Sequence, residues 1–469
     1  MTPTHRFDGL INTPPPVAVP QPVDVALRRL TTAANHGVLW MGVGAAGMLA
    51  GGRYRRAAVR GLASLSMASL LSNSVVKPLG GRRRPEPTLT ALGRRIRQVP
   101  WTSSFPSGHS ASAAAFATGA ALELPASALG LAPLAAAVAY SRVHVGVHYR
   151  SDAVAGVLLG AATALVAKHF WPVKPHRGAA MERTQAPALP RGAGLTIVVN
   201  QASGTAAGSD EAIAALLPEA TIRIWDPATE SLADLIGPDV RAIGVAGGDG
   251  TTASVAELAV QRGLPLAVFP RGTFNHFAKA LGLHTDDDTA AAIGRGSAGR
   301  VDLAEINGAS FLNTASIGGY PSLVRRRDRL SRQIGKWPAS AYALYRTLRH
   351  HTPIDLVING ERHNVWVVFI GNGVYRPRGL APAWREDLSA GVLDVQYLRG
   401  DVPYARTKAI VLSLLGLVER SPVFGDLQAP KVSIVSKSGP LPAAHDGEVT
   451  DPVDRVDLTV AAGALTVYC

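Results

Sequence analysis

Charge and hydropathy divide this chain into two parts that obey different rules. Residues 1–180 hold 19 Lys+Arg and 5 Asp+Glu, whereas the rest of the 469 residues hold 28 and 29, so the whole formal charge of +13 belongs to the first part. That basic part is also the apolar one, with Ala/Leu/Val/Gly-rich segments at about 37–52, 58–76, 109–124, 126–141 and 153–168. Each segment is close to the minimum length for crossing a bilayer, and the small residues favour tight helix contacts. A helical bundle in a membrane is the expected fold. The competing reading, a soluble bundle, is disfavoured by the lack of charged helix faces. Arginines that punctuate apolar stretches, rather than forming a polar stripe with interleaved aromatics, point to anionic lipid headgroups and away from nucleic acid.

The rest of the organisation follows from composition. Residues 1–23 are polar and Pro-rich, with no apolar core of a cleavable leader, and are expected to be disordered. From Asp24 to Asn35 a short amphipathic helix is expected, opening a bundle domain over 24–170. A Pro/Gly/Ala-rich basic stretch, 171–194, reads as a flexible linker. Beyond it, short apolar strands at Leu195–Val199, Ala242–Ala246 and Leu266–Phe269 alternate with helices, the pattern of a parallel α/β unit over 195–300. Alternating runs at 355–358, 365–370, 393–398, 432–435 and 456–460, broken by a helix near 404–419, imply an antiparallel β-rich part over 301–469. The lone Cys469 excludes any disulfide within the chain.

Two sets of residues carry chemistry. The first lies at the ends of apolar segments: Lys77 with Arg84-Pro85, then Pro106-Ser107-Gly108-His109, then Ser141-Arg142 with His148 and Asp152. Fixed cationic donors from Lys77, Arg84 and Arg142, with the Ser107 hydroxyl and nearby backbone N–H groups, suit a dianionic phosphate. His148 and Asp152 lie four residues apart, so one helical turn aligns a carboxylate with an imidazole and aims its other nitrogen outward. His109 is then free to protonate a leaving alkoxide. His144 falls outside this pattern and reads as structural, and Arg82, Arg83, Arg94, Arg95 and Arg97 read as a solvated or headgroup-facing loop.

The order and spacing of the three clusters resemble the type 2 phosphatidic acid phosphatase (lipid phosphate phosphatase) family over about 24–170. The resemblance implies that His148 forms a phosphohistidine oriented by Asp152 and that His109 is the general acid. It further implies that Lys77, Arg84, Ser107, Gly108 and Arg142 bind phosphate, with no metal.

The second set is a loop, Gly247-Gly248-Asp249-Gly250-Thr251, between a strand and a helix, where backbone N–H groups can approach phosphates. It is accompanied by Asn200-Gln201-Ala202-Ser203-Gly204, Gly272-Thr273-Phe274-Asn275 and Asp446-Gly447-Glu448. Together they resemble the diacylglycerol kinase catalytic-domain family, which includes sphingosine kinases, over about 194–469. By that resemblance Asn200, Ser203, Gly204, Gly247, Gly248, Asp249, Gly250, Thr251, Thr273 and Asn275 hold ATP. Asp249 and Glu448 place Mg²⁺, and Asp446 accepts the proton of a lipid hydroxyl.

His276 and Ala390-Gly391 stand where the family often has carboxylates, and Gln201 where it has Pro. NAD kinases, which share the glycine loop, are the alternative for this half. The expected whole is a bifunctional integral membrane enzyme of about five spans, its phosphatase site outward and its kinase domain cytoplasmic. Its partners are a phosphorylated lipid, a lipid alcohol and ATP, with no obligate protein partner. Two further readings stand beside it: a membrane phosphatase whose kinase-like domain senses lipid or nucleotide, and a kinase anchored by an inert first domain.

Overall fold

The computed structural model describes residues 19–469 except 86–101, 174–177, 201–208, 273–274, several positions in 321–335, 351, 380–381 and 447. The expected disorder of the N-terminus, the Arg94, Arg95 and Arg97 loop, and the placements of Ser203, Gly204 and Thr273 therefore fall mainly or wholly outside the described residues. The chain forms two compact units, Met1–Val173 and Lys174–Cys469.

The first unit is helical: α1 Gln21–Ala33, α2 Val38–Ala50, α3 Gly52–Leu70, α4 Gly108–Glu123, α5 Ala128–His144 and α6 Arg150–Phe170. Among the described residues only Pro125–His144 and Arg150–Phe170 are long and apolar enough to cross a membrane. The five-span expectation is thus not carried. α2 has only 13 residues, α4 has 16, and α3 starts with Arg53, Arg55 and Arg56.

Small residues set the packing of this unit. A Cβ at Gly156 or Gly160 of α6 would collide with the Ser107 and Ala111 carbonyls of α4, so only glycine lets these helices approach so closely. Inside the bundle, Arg60 of α3 is 1% exposed and meets Glu123 at 2.7 Å, donating also to the Trp171 carbonyl. That satisfies a guanidinium which would otherwise be costly to bury.

The second unit is a mixed α/β domain around one large sheet. Its nucleus comprises β2 Leu195–Val199, β3 Thr221–Ile224, β4 Ala242–Ala246 and β5 Leu266–Phe269, parallel in the order β3-β2-β4-β5. The runs β2, β4 and β5 are wholly buried because both sheet faces are covered. Ile197 and Val199 pack into one core with Ile213 of α7 (Ser209–Leu216), while Val198, Ile243 and Val245 pack into the other with Val255 of α8 (Asp249–Arg262).

The expected linker contains structure. Residues 182–185 form β1, antiparallel to the start of β6 (Ser297–Ile306), because Glu182 pairs with Arg300 and Gln185 with Ser297. The chain then passes through β7 Ala309–Phe311 and β8 Thr314–Gly318, then β9 Ile354–Ile358 and the central β10 Glu361–Asn372.

β10 pairs antiparallel with β8, with β9 and with β11 (Leu393–Arg399). A bulge between Val365 and Val367 puts Trp366 and Val367 into the same core, with strict alternation resuming at Val368. Strands β12 Lys431–Ser436 and β13 Ala443–His445 are among those that precede the long β14 Arg455–Tyr468. β14 pairs with β12 and β6 and reaches β5 in parallel at Val467 and Leu266, so the last strand joins the antiparallel strands and the α/β nucleus in one sheet.

Candidate active sites

In the first unit the site is built where two helix N-termini meet. Tyr149 is the N-cap of α6, and its N–H donates to Asp152 Oδ2 at 2.9 Å, which places a fully buried carboxylate in the first turn, at the positive end of the helix. His148, one residue before the cap, brings Nδ1 to 3.5 Å from Asp152 Oδ2. The opposite nitrogen, Nε2, lies 3.3 Å from Arg84 Nη1, which also donates to the Val147 carbonyl at 2.9 Å. Burial, with Arg84 and Arg142 nearby, pushes the His148 imidazole down to about 4 against the opposing pull of Asp152. A neutral ring keeps a lone pair for attack at neutral pH.

The other members converge on the same place. Ser107, the N-cap of α4, is fully buried, donates its N–H to the Asp152 carbonyl at 3.0 Å and accepts from Ser110 Oγ at 2.9 Å. A Cβ at Gly108 would stand 3.3 Å from Lys77 Nζ, so the bare backbone lets the ammonium come down onto this helix start, where Asn73 Oδ1 accepts from it at 2.8 Å. Arg142, 1% exposed, donates to Thr31 Oγ1 at 2.7 Å, and His109 Nε2 lies 2.9 Å from Asn35 Oδ1. His144 bonds Asp24 at 2.7 Å.

Arg82 departs from expectation. It is not a loop cation but donates to Asp152 Oδ1 and Ser151 Oγ, both at 2.8 Å, with its guanidinium 4.3 Å over the Tyr149 ring. Its segment is pinned by Ser104, whose N–H donates to the Arg82 carbonyl at 3.0 Å. Arg82, Thr31 and Asn35 escape sequence reasoning because each acts across at least 69 positions.

In the second unit the candidate residues gather at the C-terminal ends of β2, β4 and β5. Asn200 Nδ2 donates to Thr251 Oγ1 at 3.0 Å, joining the first strand end to the glycine loop. A Cβ at Gly272 would lie 2.7 Å from Gly248 Cα, so glycine is required for the loops after β4 and β5 to touch backbone to backbone. Asn275, at φ 52°, uses its amide within its own loop, accepting from Gly272 N at 2.6 Å and donating to the Pro270 carbonyl at 2.9 Å. Asp249 accepts from the N–H groups of His276 and Phe277, both at 3.3 Å, at the start of a helix over His276–Leu281.

Asp446 is held entirely by backbone. Its carboxylate accepts from the N–H groups of Leu312 at 2.7 Å and of Asn313 and Thr314 at 3.0 Å. Burial pushes it up to about 6, opposed by those three donors and assisted by the charge of Asp249. Asn313 joins the two acids, because its N–H serves Asp446 while its Nδ2 lies 3.4 Å from Asp249 Oδ1. Arg385 donates to Asn313 Oδ1 at 3.3 Å and to the carbonyls of Leu312 and Asn372.

A cavity of about 140 Å³ lies beside Asp446, lined by Gly250, Ser254, Glu257, Ser310 and Glu448 among others. Among the described residues no group of three His, Cys, Asp or Glu is arranged to hold a metal. Mg²⁺ that arrives on a nucleotide needs only one or two protein carboxylates. Glu448, whose Oε1 crowds Gly250, is suited to supply one. At the Ala390-Gly391 turn the buried Asp302 accepts from Gly391 N at 2.6 Å and from Gly463 N at 2.8 Å, a carboxylate that no motif marked.

A buried Asp at a helix start with a His just before it, ringed by cations, marks the first unit, and a glycine loop between strand and helix marks the second. Residues 58–175 match the PAP2 superfamily and 194–306 match the diacylglycerol kinase catalytic domain. The chain belongs, through its second unit, to the YegS-like lipid kinase family, with a PAP2 superfamily domain ahead of it.

It is 33% identical over 239 residues to the "Probable lipid kinase YegS-like" of Pseudomonas aeruginosa, covering 47% of this chain and 74% of that one. A "Diacylglycerol kinase" of Mycobacterium tuberculosis is 29% identical, covering 39% of this chain and 61% of that one. The chain spans only 19% of an uncharacterised protein of Synechocystis, using 18% of its own length at 42% identity. Among solved structures, a diacylglycerol kinase from Bacillus anthracis is 19% identical with a TM-score of 0.42, over 58% of this chain and 96% of that one.

Proposed function

We propose that the chain is a bifunctional membrane enzyme, a lipid phosphate phosphatase and an ATP-dependent lipid kinase of diacylglycerol kinase type. The observation that carries the first activity is the order Arg82, Asp152, His148, Arg84. A carboxylate fixed at a helix start orients one imidazole nitrogen, and an arginine stands at the other. His148 Nε2 attacks phosphorus and the P–O bond to the lipid breaks. His109 protonates the leaving alkoxide, and water then cleaves the P–N bond of the phosphohistidine. Lys77, Arg84, Arg142, Ser107 and the Gly108 backbone bind the phosphate.

In the kinase half, the loop from Gly247 to Thr251, with Asn200, binds the nucleotide phosphates, Glu448 and Asp249 face its Mg²⁺, and Asp446 takes the proton of the acceptor hydroxyl. Bound Mg²⁺ supplies charge neutralisation on the phosphates. An ATP requirement supports a cytoplasmic kinase domain, and a spanning helix Arg150–Phe170 then supports an outward phosphatase site. A reporter fused at residue 195 that reads out as extracytoplasmic would contradict this topology.

A second reading, a sensor that binds nucleotide or lipid without transfer, is favoured by one observation. Asn275 commits its amide to its own loop, and Asp249 commits its carboxylate to the backbone N–H groups of His276 and Phe277.

Acid-labile, alkali-stable label on the protein after a brief exposure to ³²P-labelled phosphatidic acid supports the phosphohistidine, and undiminished label in His148→Ala refutes it. For the kinase half, transfer from labelled ATP to diacylglycerol separates enzyme from sensor.

A further inference from the structure

The phosphatase site draws on residues well upstream of the segment that matches the PAP2 superfamily, which starts at residue 58. Helix α1 and the turn after it touch two residues of the proposed site. Thr31, 1% exposed, accepts from Arg142 Nη1 at 2.7 Å. Asn35, about one turn further on, places Oδ1 2.9 Å from His109 Nε2. Asp24, earlier on the same helix, bonds His144 at 2.7 Å, so α1 is fastened along α5 at two points and reaches α4 at a third. The turn that presents Asn35 is specific: His36 and Gly37 take φ of 53° and 76°, which ends α1 beside the start of α4.

We propose that Asn35 is a positioning residue for the general acid of the phosphatase, fixing which nitrogen of His109 delivers the proton. A protonated imidazole has two N–H groups. With Nε2–H donated to the Asn35 carbonyl oxygen, only Nδ1–H remains to meet the leaving oxygen. When the P–O bond breaks, its electron pair stays on the lipid oxygen and takes that proton. His109 becomes neutral, and it recovers a proton from the water that later cleaves the phosphohistidine. Burial, with Arg142, His148, Lys77 and His36 nearby, pushes the His109 imidazole down to about 2. The acceptor oxygen of Asn35 and a bound phosphate dianion oppose that shift by favouring the imidazolium, and Asn35 holds the ring plane throughout.

This rests on the assignment of His109 as the acid, and the test separates the two. The full-length protein in detergent is assayed with dioctanoyl phosphatidic acid, whose alkoxide needs a proton to leave, and with p-nitrophenyl phosphate, whose phenolate does not. His109→Ala is expected to lose on the order of 10²-fold with the lipid and little with the aryl ester. Equal losses on both would sink the acid assignment itself.

Given that result, Asn35→Ala should lose roughly tenfold with the lipid and under about threefold with the aryl ester. The Asn35→Ala/His109→Ala double variant should be no worse than His109→Ala alone, because the two act through one group. A residue that only supports the fold would lower both substrates alike and add to His109→Ala, and either outcome overturns the proposal. Should Asn35→Ala not fold, Asn35→Asp keeps an acceptor oxygen in place. Lipid turnover within a few-fold of wild type in that variant supports the role, and equal loss on both substrates contradicts it.

Discussion

The two candidate sites hold their acids in opposite ways. Asp152 is gripped by side chains, Arg82 at 2.8 Å and His148 at 3.5 Å, with one backbone donor from Tyr149. Asp446 is gripped by three consecutive backbone N–H groups and Asp249 by two, with the Asn313 side chain lying between the acids. The first arrangement can be dismantled one side chain at a time without disturbing the chain path. The second ties chemistry to the fold, so removal of an acid should be felt in stability as well as in rate.

The largest effect separating the two sites is expected from His148→Ala. Loss of a nucleophile should remove on the order of 10³-fold or more of phosphatase turnover and leave lipid phosphorylation and melting temperature unchanged. Asp446→Ala should behave differently. It should lower kinase turnover by roughly 10²-fold or more and also destabilise the second unit, because the Leu312, Asn313 and Thr314 N–H groups lose their acceptor at about 1–3 kcal/mol. A melting temperature matching wild type would break the contrast drawn between the sites.

Arg82→Ala comes next. A charge-assisted hydrogen bond is worth about 1.5–3 kcal/mol, so phosphatase turnover should fall roughly 10- to 100-fold. Unchanged kcat in Arg82→Ala would return this residue to the role of a loop cation. The smallest effect is one of pH. Asp446 must be ionised to accept a proton, and burial raises it to about 6, so kinase kcat should decline as pH is lowered through 6. A profile flat from pH 5 to 8 would mean that another group takes the proton.

Much of this molecule is legible in its sequence, and the parts that are not share a cause. Strands Leu195–Val199, Ala242–Ala246 and Leu266–Phe269 end at the residues where their apolar runs end, since a strand buried on both faces has no polar positions to blur its limits. The His148 and Asp152 pairing follows from their spacing of four residues, although His148 stands just before the helix that carries Asp152.

What escapes is long-range. Arg82 reads as one more arginine in a basic run until Asp152 is brought beside it, and Asn35 reads as a helix end until α4 packs there. Asn313 and Asp302 belong to no motif, and the strand at 182–185 lies in a stretch whose Pro and Gly content suggests only a linker. Five apolar segments are present, and among the described residues two helices combine the length and apolarity to span.

The proposed function puts two independent phosphoryl-transfer sites of opposite sense on one chain. Its most direct test is a crossed assay of wild type, His148→Ala and Asp446→Ala, purified in detergent. Phosphate release from phosphatidic acid and transfer from labelled ATP to diacylglycerol would be measured on each preparation. Each variant is expected to lose one activity and keep the other at close to the wild-type rate. Loss of both activities in either variant, or no transfer from ATP in the wild type, would contradict it.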